Sequence, residues 1–143
     1  MNVAAILAQK GRDVITIPPH ASMIEASHVL AEHRIGAVVV AGAGGEVVGV
    51  FSERDLARAV ARDGAGVLER PVSAVMTRSL VTADSSTHVN TMMEIMTEKR
   101  VRHVIIVDNG ELAGFVSIGD VVKRQIQSAQ AEAEALKAYI ETA

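Results

Sequence analysis

The chain of 143 residues contains one unit twice, and this duplication constrains its fold more than any other feature. Early in the unit, residues recur at an offset of 66 positions, as Arg34 and Arg100 do. After a hairpin loop the offset is 65, as for Asp55 and Asp120, so one residue is lost in that loop. A unit of about 50 residues buries too little surface to be comfortably stable alone. We therefore expect the two copies to pack together.

Both copies show the same order of secondary-structure signals. Ser22 with Glu25 has the spacing of a capping box at the start of a helix. In the second copy, apolar residues recur from Val89 to Met96 at the i, i+3, i+4, i+7 spacing of a buried helical stripe. Short β-branched runs separated by Gly or Asn-Gly follow, which is typical of a strand hairpin. The sequence predicts an α+β fold of two pseudo-symmetric β-α-β-β-α repeats.

The segments around the repeats complete this plan. We expect repeat 1 with an N-terminal lead-in helix over residues 1–66, repeat 2 over residues 67–127 and a C-terminal helix extension over residues 128–143. The apolar residues of the last helix are spaced alternately four and three apart, like the seam of a coiled coil. They are Val122, Ile126, Ala129, Ala133, Leu136 and Ile140. This seam either packs back on its own chain or forms part of a homodimer contact.

Composition and motifs exclude several classes of function. The chain has no cysteine, which rules out disulfides and thiolate sites. A net charge of −3 and only three aromatic residues disfavour nucleic-acid binding. No apolar run approaches the roughly 18 residues of a membrane span, and the N-terminus lacks the pattern of a signal peptide. We expect a cytoplasmic protein that is not an enzyme, binds no metal and contacts neither nucleic acid nor membrane.

The pattern Gly-x-x-Ser-x-x-Asp occurs once in each copy, at residues 49–55 and 114–120. In one interpretation, Ser52 and Ser117 cap the second helix of each copy and the aspartates complete capping boxes. In the other, the serine and the helix N-terminus suit a phosphate, Asp55 and Asp120 accept hydrogen bonds from ribose hydroxyls, and the glycine lets a ligand approach the backbone. The residues alone favour neither interpretation, because duplication explains the recurrence in both.

With these motifs, the chain resembles a tandem pair of CBS domains, the cystathionine-β-synthase-type regulatory module. The resemblance covers roughly residues 3–126 and includes residues 100–104 and the paired Ser-x-x-Asp motifs. The chain is similar to the stand-alone two-CBS proteins of bacteria. This implies a regulatory module that binds an adenine nucleotide in the cleft between the repeats. AMP is the first choice, with ADP, ATP, NAD or S-adenosylmethionine as alternatives. The resemblance also implies a homodimer and an unidentified protein target.

The resemblance assigns roles to particular residues. Asp55 and Asp120 would hold ribose, and Ser52 and Ser117 would face phosphate. The adenine pockets would be lined by two threonines and by the backbone of two strands, at Thr16, Thr82, Val38 and Val104.

The two copies differ in where they carry positive charge. Arg54 lies within the first Ser-x-x-Asp motif, where the second motif has Gly119. Arg102 and His103 precede the second hairpin, at positions where the first copy has no charge. We expect these three residues to meet phosphate from the two sides of the shared cleft. The alternative is that they are surface charges.

Two other functions remain open at this level. One is a dimerisation scaffold whose clefts stay empty and whose tail docks a partner. The other is a small nucleotide-processing enzyme, for which the sequence offers no acid–base or metal set.

Overall fold

The computed structural model describes residues 1–142, in which the same order of elements occurs twice. Each copy consists of a short strand, a helix, two paired strands and a second helix. In chain order the elements are α1 (Val3–Lys10), β1 (Thr16–Ile17), α2 (Met23–His33), β2 (Ala37–Ala41), β3 (Val47–Ser52), α3 (Glu53–Asp63), two 3₁₀ turns (Ala65–Glu69 and Val72–Ala74), β4 (Thr82–Ala83), α4 (Val89–Lys99), β5 (His103–Asp108), β6 (Glu111–Ser117) and α5 (Ile118–Thr142).

Each copy forms its own three-stranded sheet with the same topology. In the first sheet, β1 runs parallel to β2, and β2 runs antiparallel to β3. The second sheet repeats this with β4, β5 and β6. The registers are equivalent, since Thr16 pairs with Val39 and Thr82 pairs with Ile105. The predicted β-α-β-β-α repeats and the α+β class are therefore confirmed.

The residue lost between the two copies lies in the hairpins. Val40 pairs with Gly49 across the first hairpin, and Ile106 pairs with Gly114 across the second, which is one residue shorter. The shorter hairpin turns at Asn109-Gly110, both of which have positive φ. Asn-Gly is the dipeptide that such a tight turn favours.

The chain divides into two compact units that do not follow the order of the sequence. One unit is Asp13–Leu80, and the other combines Met1–Arg12 with the segment that begins at Val81. We call residues 1–12 the first lead-in and residues 65–80 the second lead-in. The first lead-in therefore packs with repeat 2, and the second lead-in packs with repeat 1. The expected boundary between residues 66 and 67 divides the sequence repeats but not the packing units.

Backbone hydrogen bonds fix each lead-in to its unit. In the first lead-in, the Val3 N–H donates to the Thr87 carbonyl at 2.9 Å. In the second lead-in, the Val72 N–H donates to the Ala21 carbonyl at 2.8 Å. Both lead-ins also complete the core of their unit. Val3, Ile6 and Leu7 belong to the core around β5 and β6, and Val67, Val72 and Met76 belong to the core around β2 and β3.

Helix α5 extends beyond its unit's core. Val121 is its buried residue, and the side chains of residues 129–142 are exposed. The predicted C-terminal helix is confirmed up to Thr142, and Ala143 lies outside the described residues. The seam residues from Ala129 to Ile140 are thus not covered by their own chain in this structure. None of the helices in residues 1–142 is both long and apolar enough to cross a membrane.

The glycine of each Gly-x-x-Ser-x-x-Asp motif accommodates a lead-in. A Cβ atom on Gly114 would lie 2.6 Å from Leu7 Cδ2, and one on Gly49 would lie 2.7 Å from Met76 Sδ. The chain's own lead-in occupies the space that we expected a ligand to approach. Leu7 and Met76 therefore hold equivalent positions in the two units.

We expect Gly114→Ala to destabilise the protein, because the new methyl group forces Leu7 out of its position in a close-packed core. Overpacking of this kind costs about 1–3 kcal/mol. The measurement is the free energy of unfolding in urea. Gly66→Ala is the control, because a Cβ atom there meets nothing within 4 Å. Equal stability of the Gly114→Ala variant and the wild type would contradict this account of the glycine.

Candidate functional site

The serine and aspartate of each motif form a capping box. In the first, the Asp55 N–H donates to Ser52 Oγ at 3.2 Å and the Ser52 N–H donates to Asp55 Oδ2 at 2.9 Å. In the second, the corresponding Asp120 and Ser117 distances are 3.1 and 2.8 Å. The capping interpretation is therefore correct for both motifs. It leaves the ligand interpretation open, because a carboxylate has about four lone-pair sites and the box uses only some of them.

Asp55 is held by further uncharged donors. The Thr77 hydroxyl donates to Asp55 Oδ1 at 3.2 Å, and the Ser52 hydroxyl lies 3.1 Å from Oδ2. Asp55 is the buried charged residue of the described chain, with 9% of its surface exposed. Both of its oxygens are thus engaged by groups of its own unit.

Asp120 has a charged partner instead. The Lys10 ammonium, at the end of α1, donates to Asp120 Oδ2 at 2.6 Å and to the Phe115 carbonyl at 2.6 Å. The ion pair is partly open to solvent, since the side chains of Lys10 and Asp120 are 38% and 25% exposed. Lys10 is a residue of the site that the sequence analysis did not single out.

Asp120 is ionised at neutral pH. Its burial alone raises the pKa of the carboxyl group, but the hydrogen bonds from Lys10 and Ser117 and the Lys10 charge outweigh that effect. The pKa of Asp120 is therefore lowered from its ordinary value. An anionic carboxylate is the form that accepts two hydroxyl donors most strongly.

His103 lies in the same unit as Asp120 but is not a cation. Its ring stacks on Phe115 with centroids 5.1 Å apart, and it pairs with Ser117 across β5 and β6. Burial lowers the pKa of His103 to about 4, and the positive charge of Lys10 acts in the same direction. His103 is therefore neutral at pH 7. The neutral ring does not favour our expectation that His103 supplies positive charge to a phosphate, and that role stays a prediction.

The two arginines of the prediction are exposed and lie in different units. Arg54 is in the first turn of α3, in the unit of Asp55. Arg102 precedes β5 in the unit of Asp120, where its carbonyl accepts the Ile118 N–H at 2.8 Å.

The residues predicted for the adenine pockets are exposed threonines and buried valines. Thr16 and Thr82 lie at the start of β1 and β4, with exposed side chains. Val38 and Val104 are fully buried in the two cores, so only their backbone groups are available to a ligand. Thr16 and Val38 belong to one unit, and Thr82 and Val104 belong to the other. Among residues 1–142, no three histidines or carboxylates lie close enough together to hold a metal ion.

Comparisons with known proteins agree with the duplicated fold. The family model for the CBS domain matches residues 7–62 and 72–126, so the chain belongs to the CBS domain family. A CBS-domain containing protein from Agrobacterium tumefaciens is 49% identical, with a TM-score of 0.85 over 87% of this chain and 92% of the other.

Two further solved relatives carry ligands. A CBS domain protein from Pyrobaculum aerophilum, complexed with AMP, is 31% identical, with a TM-score of 0.74 over 84% of this chain and 89% of that one. A CBS domain pair in complex with 5′-methylthioadenosine and S-adenosylmethionine is 25% identical, with a TM-score of 0.76 over 86% and 98%. The chain spans 58% to 66% of the length of three curated relatives that it matches.

We expect His103 to make the protein less stable in acid. Its pKa in the folded state, about 4, lies below the ordinary value of 6.5. The unfolded chain therefore binds the proton first, and the stabilisation present above pH 6.5 is lost as the pH falls towards 4. Between pH 7 and pH 4.5, the wild type should lose about 2 kcal/mol more than His103→Gln. Urea unfolding at both pH values measures the difference, with His28→Gln, which changes an exposed histidine, as the control. Parallel losses in the wild type and His103→Gln would show that His103 is not responsible.

Proposed function

We propose that this protein is a regulatory, ligand-sensing module that binds an adenine nucleotide, with AMP as the first choice. Support comes from the relatives, because AMP, 5′-methylthioadenosine and S-adenosylmethionine share the adenosine group. The observation that carries the proposal is the anionic, half-buried Asp120 at the start of α5, beside Ser117. A carboxylate in this position can accept hydrogen bonds from the two ribose hydroxyls, as acidic residues do in dinucleotide sites.

Asp120 is better placed than Asp55 for this role. Asp55 is 9% exposed and already accepts hydrogen bonds from Ser52 and Thr77 on both oxygens. Asp120 is more exposed, and its partner outside the capping box is the side chain of Lys10, which can move. A ligand reaches Asp120 by displacing one flexible side chain, whereas at Asp55 it must break a network of fixed, neutral donors. We propose Asp120 as the principal ribose-binding residue and Asp55 as the weaker counterpart.

The other proposed site residues follow from this choice. Ser117 would face phosphate, while Thr82, His103 and the backbone of Val104 would lie against the base. Arg102 would add positive charge. At Asp55, the equivalent roles would belong to Ser52 for phosphate, Arg54 for positive charge, and Thr16 with the backbone of Val38 for the base. The regulatory role, the cytoplasmic location and an unidentified protein target belong to the same proposal.

We expect Asp120→Asn to weaken AMP binding about tenfold or more, because asparagine retains some capping ability but loses the charge-assisted contacts, which are typically about 1.5–3 kcal/mol each. Asp55→Asn should weaken binding less. Isothermal titration calorimetry on the full chain measures both affinities, and thermal unfolding without ligand verifies that the variants fold. Asp13→Asn, an exposed aspartate outside both motifs, serves as the control. If Asp120→Asn binds AMP as tightly as the wild type, the assignment of the ribose site is wrong.

The exposed seam of α5 favours a second function, dimerisation. Ile126, Leu136 and Ile140 are 53%, 60% and 65% exposed, although they form a regular apolar stripe. Such a stripe is typical of a helix that packs on another helix. We propose a homodimer in which this seam contributes to the contact. A scaffold without a ligand would have the same dimer but would not bind AMP.

We expect removal of the residues after Gln127, or Leu136→Glu combined with Ile140→Glu, to weaken the dimer about tenfold or more. Each large apolar side chain that leaves an interface removes about 1.5–3 kcal/mol of burial. Sedimentation equilibrium gives the dissociation constant, and Glu134→Gln, on the same helix, is the control. A monomeric wild type at micromolar concentration would refute the dimer. An unchanged dissociation constant in the variants would refute only the contribution of α5.

A further inference from the structure

Lys10 occupies a position in its unit that has no charged counterpart in the other. Leu7 and Met76 are equivalent, because each packs against the glycine of its motif. The residue after Met76 is Thr77, and the residue after Leu7 is Ala8, which has no polar side chain. Lys10 comes two residues later and supplies the donor that Ala8 lacks.

In each unit, two acceptors lie side by side: the motif aspartate and the carbonyl two residues before the motif serine. They accept hydrogen bonds from different donors in the two units. In the first repeat, the Thr77 N–H donates to the Val50 carbonyl at 2.9 Å, and the Thr77 hydroxyl donates to Asp55. In the second repeat, Phe115 stands where Val50 does, and its carbonyl and Asp120 both accept from the Lys10 ammonium. One charged group on a flexible stem thus replaces a fixed backbone amide and a neutral hydroxyl.

A ligand that uses Asp120 must compete with this ammonium. Ribose hydroxyls need the acceptor sites of the carboxylate, one of which Lys10 occupies at 2.6 Å. If Lys10 moves away, its charge must find another anion or remain in water without its partner. A phosphate on the ligand offers a new charge-assisted contact. An uncharged ligand offers none, and the nearby ring of His103 is neutral.

We propose that Lys10 determines the charge specificity of the Asp120 site, so that the site favours adenosine ligands that carry a phosphate and disfavours uncharged ones. This inference rests on the proposed function and narrows it to anionic nucleotides. It separates two ligands that occur in relatives of this chain, since AMP carries a phosphate where 5′-methylthioadenosine carries a neutral methylthio group. Lys10 is a specificity residue here, and the capping box holds Asp120 without it.

The experiment compares AMP with 5′-methylthioadenosine by calorimetry on the full chain. The wild type should prefer AMP. Lys10→Met should weaken AMP binding about tenfold and strengthen 5′-methylthioadenosine binding a few-fold, which reduces the preference by more than about tenfold. Arg12→Met is the matched control, because it removes one positive charge from the same lead-in, where Arg12 pairs with Asp108 rather than Asp120. The control should keep the wild-type preference.

A double-mutant cycle ties the effect to the proposed contact. In the Asp120→Asn background, Lys10→Met should no longer strengthen 5′-methylthioadenosine binding, because the ion pair with which that ligand competes is already absent. Lys10→Gln provides a second variant if Lys10→Met does not fold, since glutamine can still donate a hydrogen bond but carries no charge. It should lose the preference as well.

The outcomes distinguish this inference from the proposed function. If the wild type binds neither ligand, both are overturned. If Asp120→Asn weakens AMP binding but Lys10→Met and Lys10→Gln keep the full preference for AMP, the function stands and the role of Lys10 is overturned. Lys10 is then a structural clamp at the end of α1.

Discussion

Both units depend on the contact between a motif glycine and an apolar side chain from a lead-in. A three-stranded sheet with two helices from about 50 residues leaves part of its core uncovered. Leu7 in one unit and Met76 in the other fill that space, and a Cβ atom on Gly114 or Gly49 would collide with them. The glycine that begins each Gly-x-x-Ser-x-x-Asp motif is therefore a packing residue. The Ser that follows ends the same strand, and the Asp lies in the first turn of the next helix. The contact at the glycine therefore also helps to position these two residues.

The difference between the two candidate sites arises from the same contact. Each lead-in places a donor near the aspartate of the motif, but the two lead-ins have different residues at that point. Thr77 gives Asp55 a neutral, fixed partner, and Lys10 gives Asp120 a charged, movable one. Asp55 is thereby buried with both of its oxygens engaged, while Asp120 keeps an ionised carboxylate partly exposed to solvent. The two motifs are similar because of the duplication, and their aspartates differ in environment because the two lead-ins have different residues beside them.

Local sequence signals predicted the elements well because those elements depend on neighbouring residues. The apolar stripe of α4 and the capping serines are such signals, and the capping bonds of Ser22 and Ser52 are present. The packing of each lead-in with the other repeat was not predictable in this way, because an amphipathic segment does not specify which of two similar cores it covers. Lys10 was missed for the same reason, since it lies 110 positions from Asp120 in the chain. The neutral state of His103 depends on burial, which the sequence pattern does not give.

The packing of each lead-in with the other repeat also affects the order in which the two units can fold during synthesis. The unit Asp13–Leu80 is continuous in the chain and contains all of its core when Leu80 has been made. Helix α1 precedes this unit in the chain but packs with residues from Val81 onward, so its apolar residues are made before the strands that cover them. Contacts between residues so far apart form slowly, because a long loop must close first. Helix α1 therefore leaves the ribosome before the strands that it packs against, and its apolar residues stay exposed in the interval.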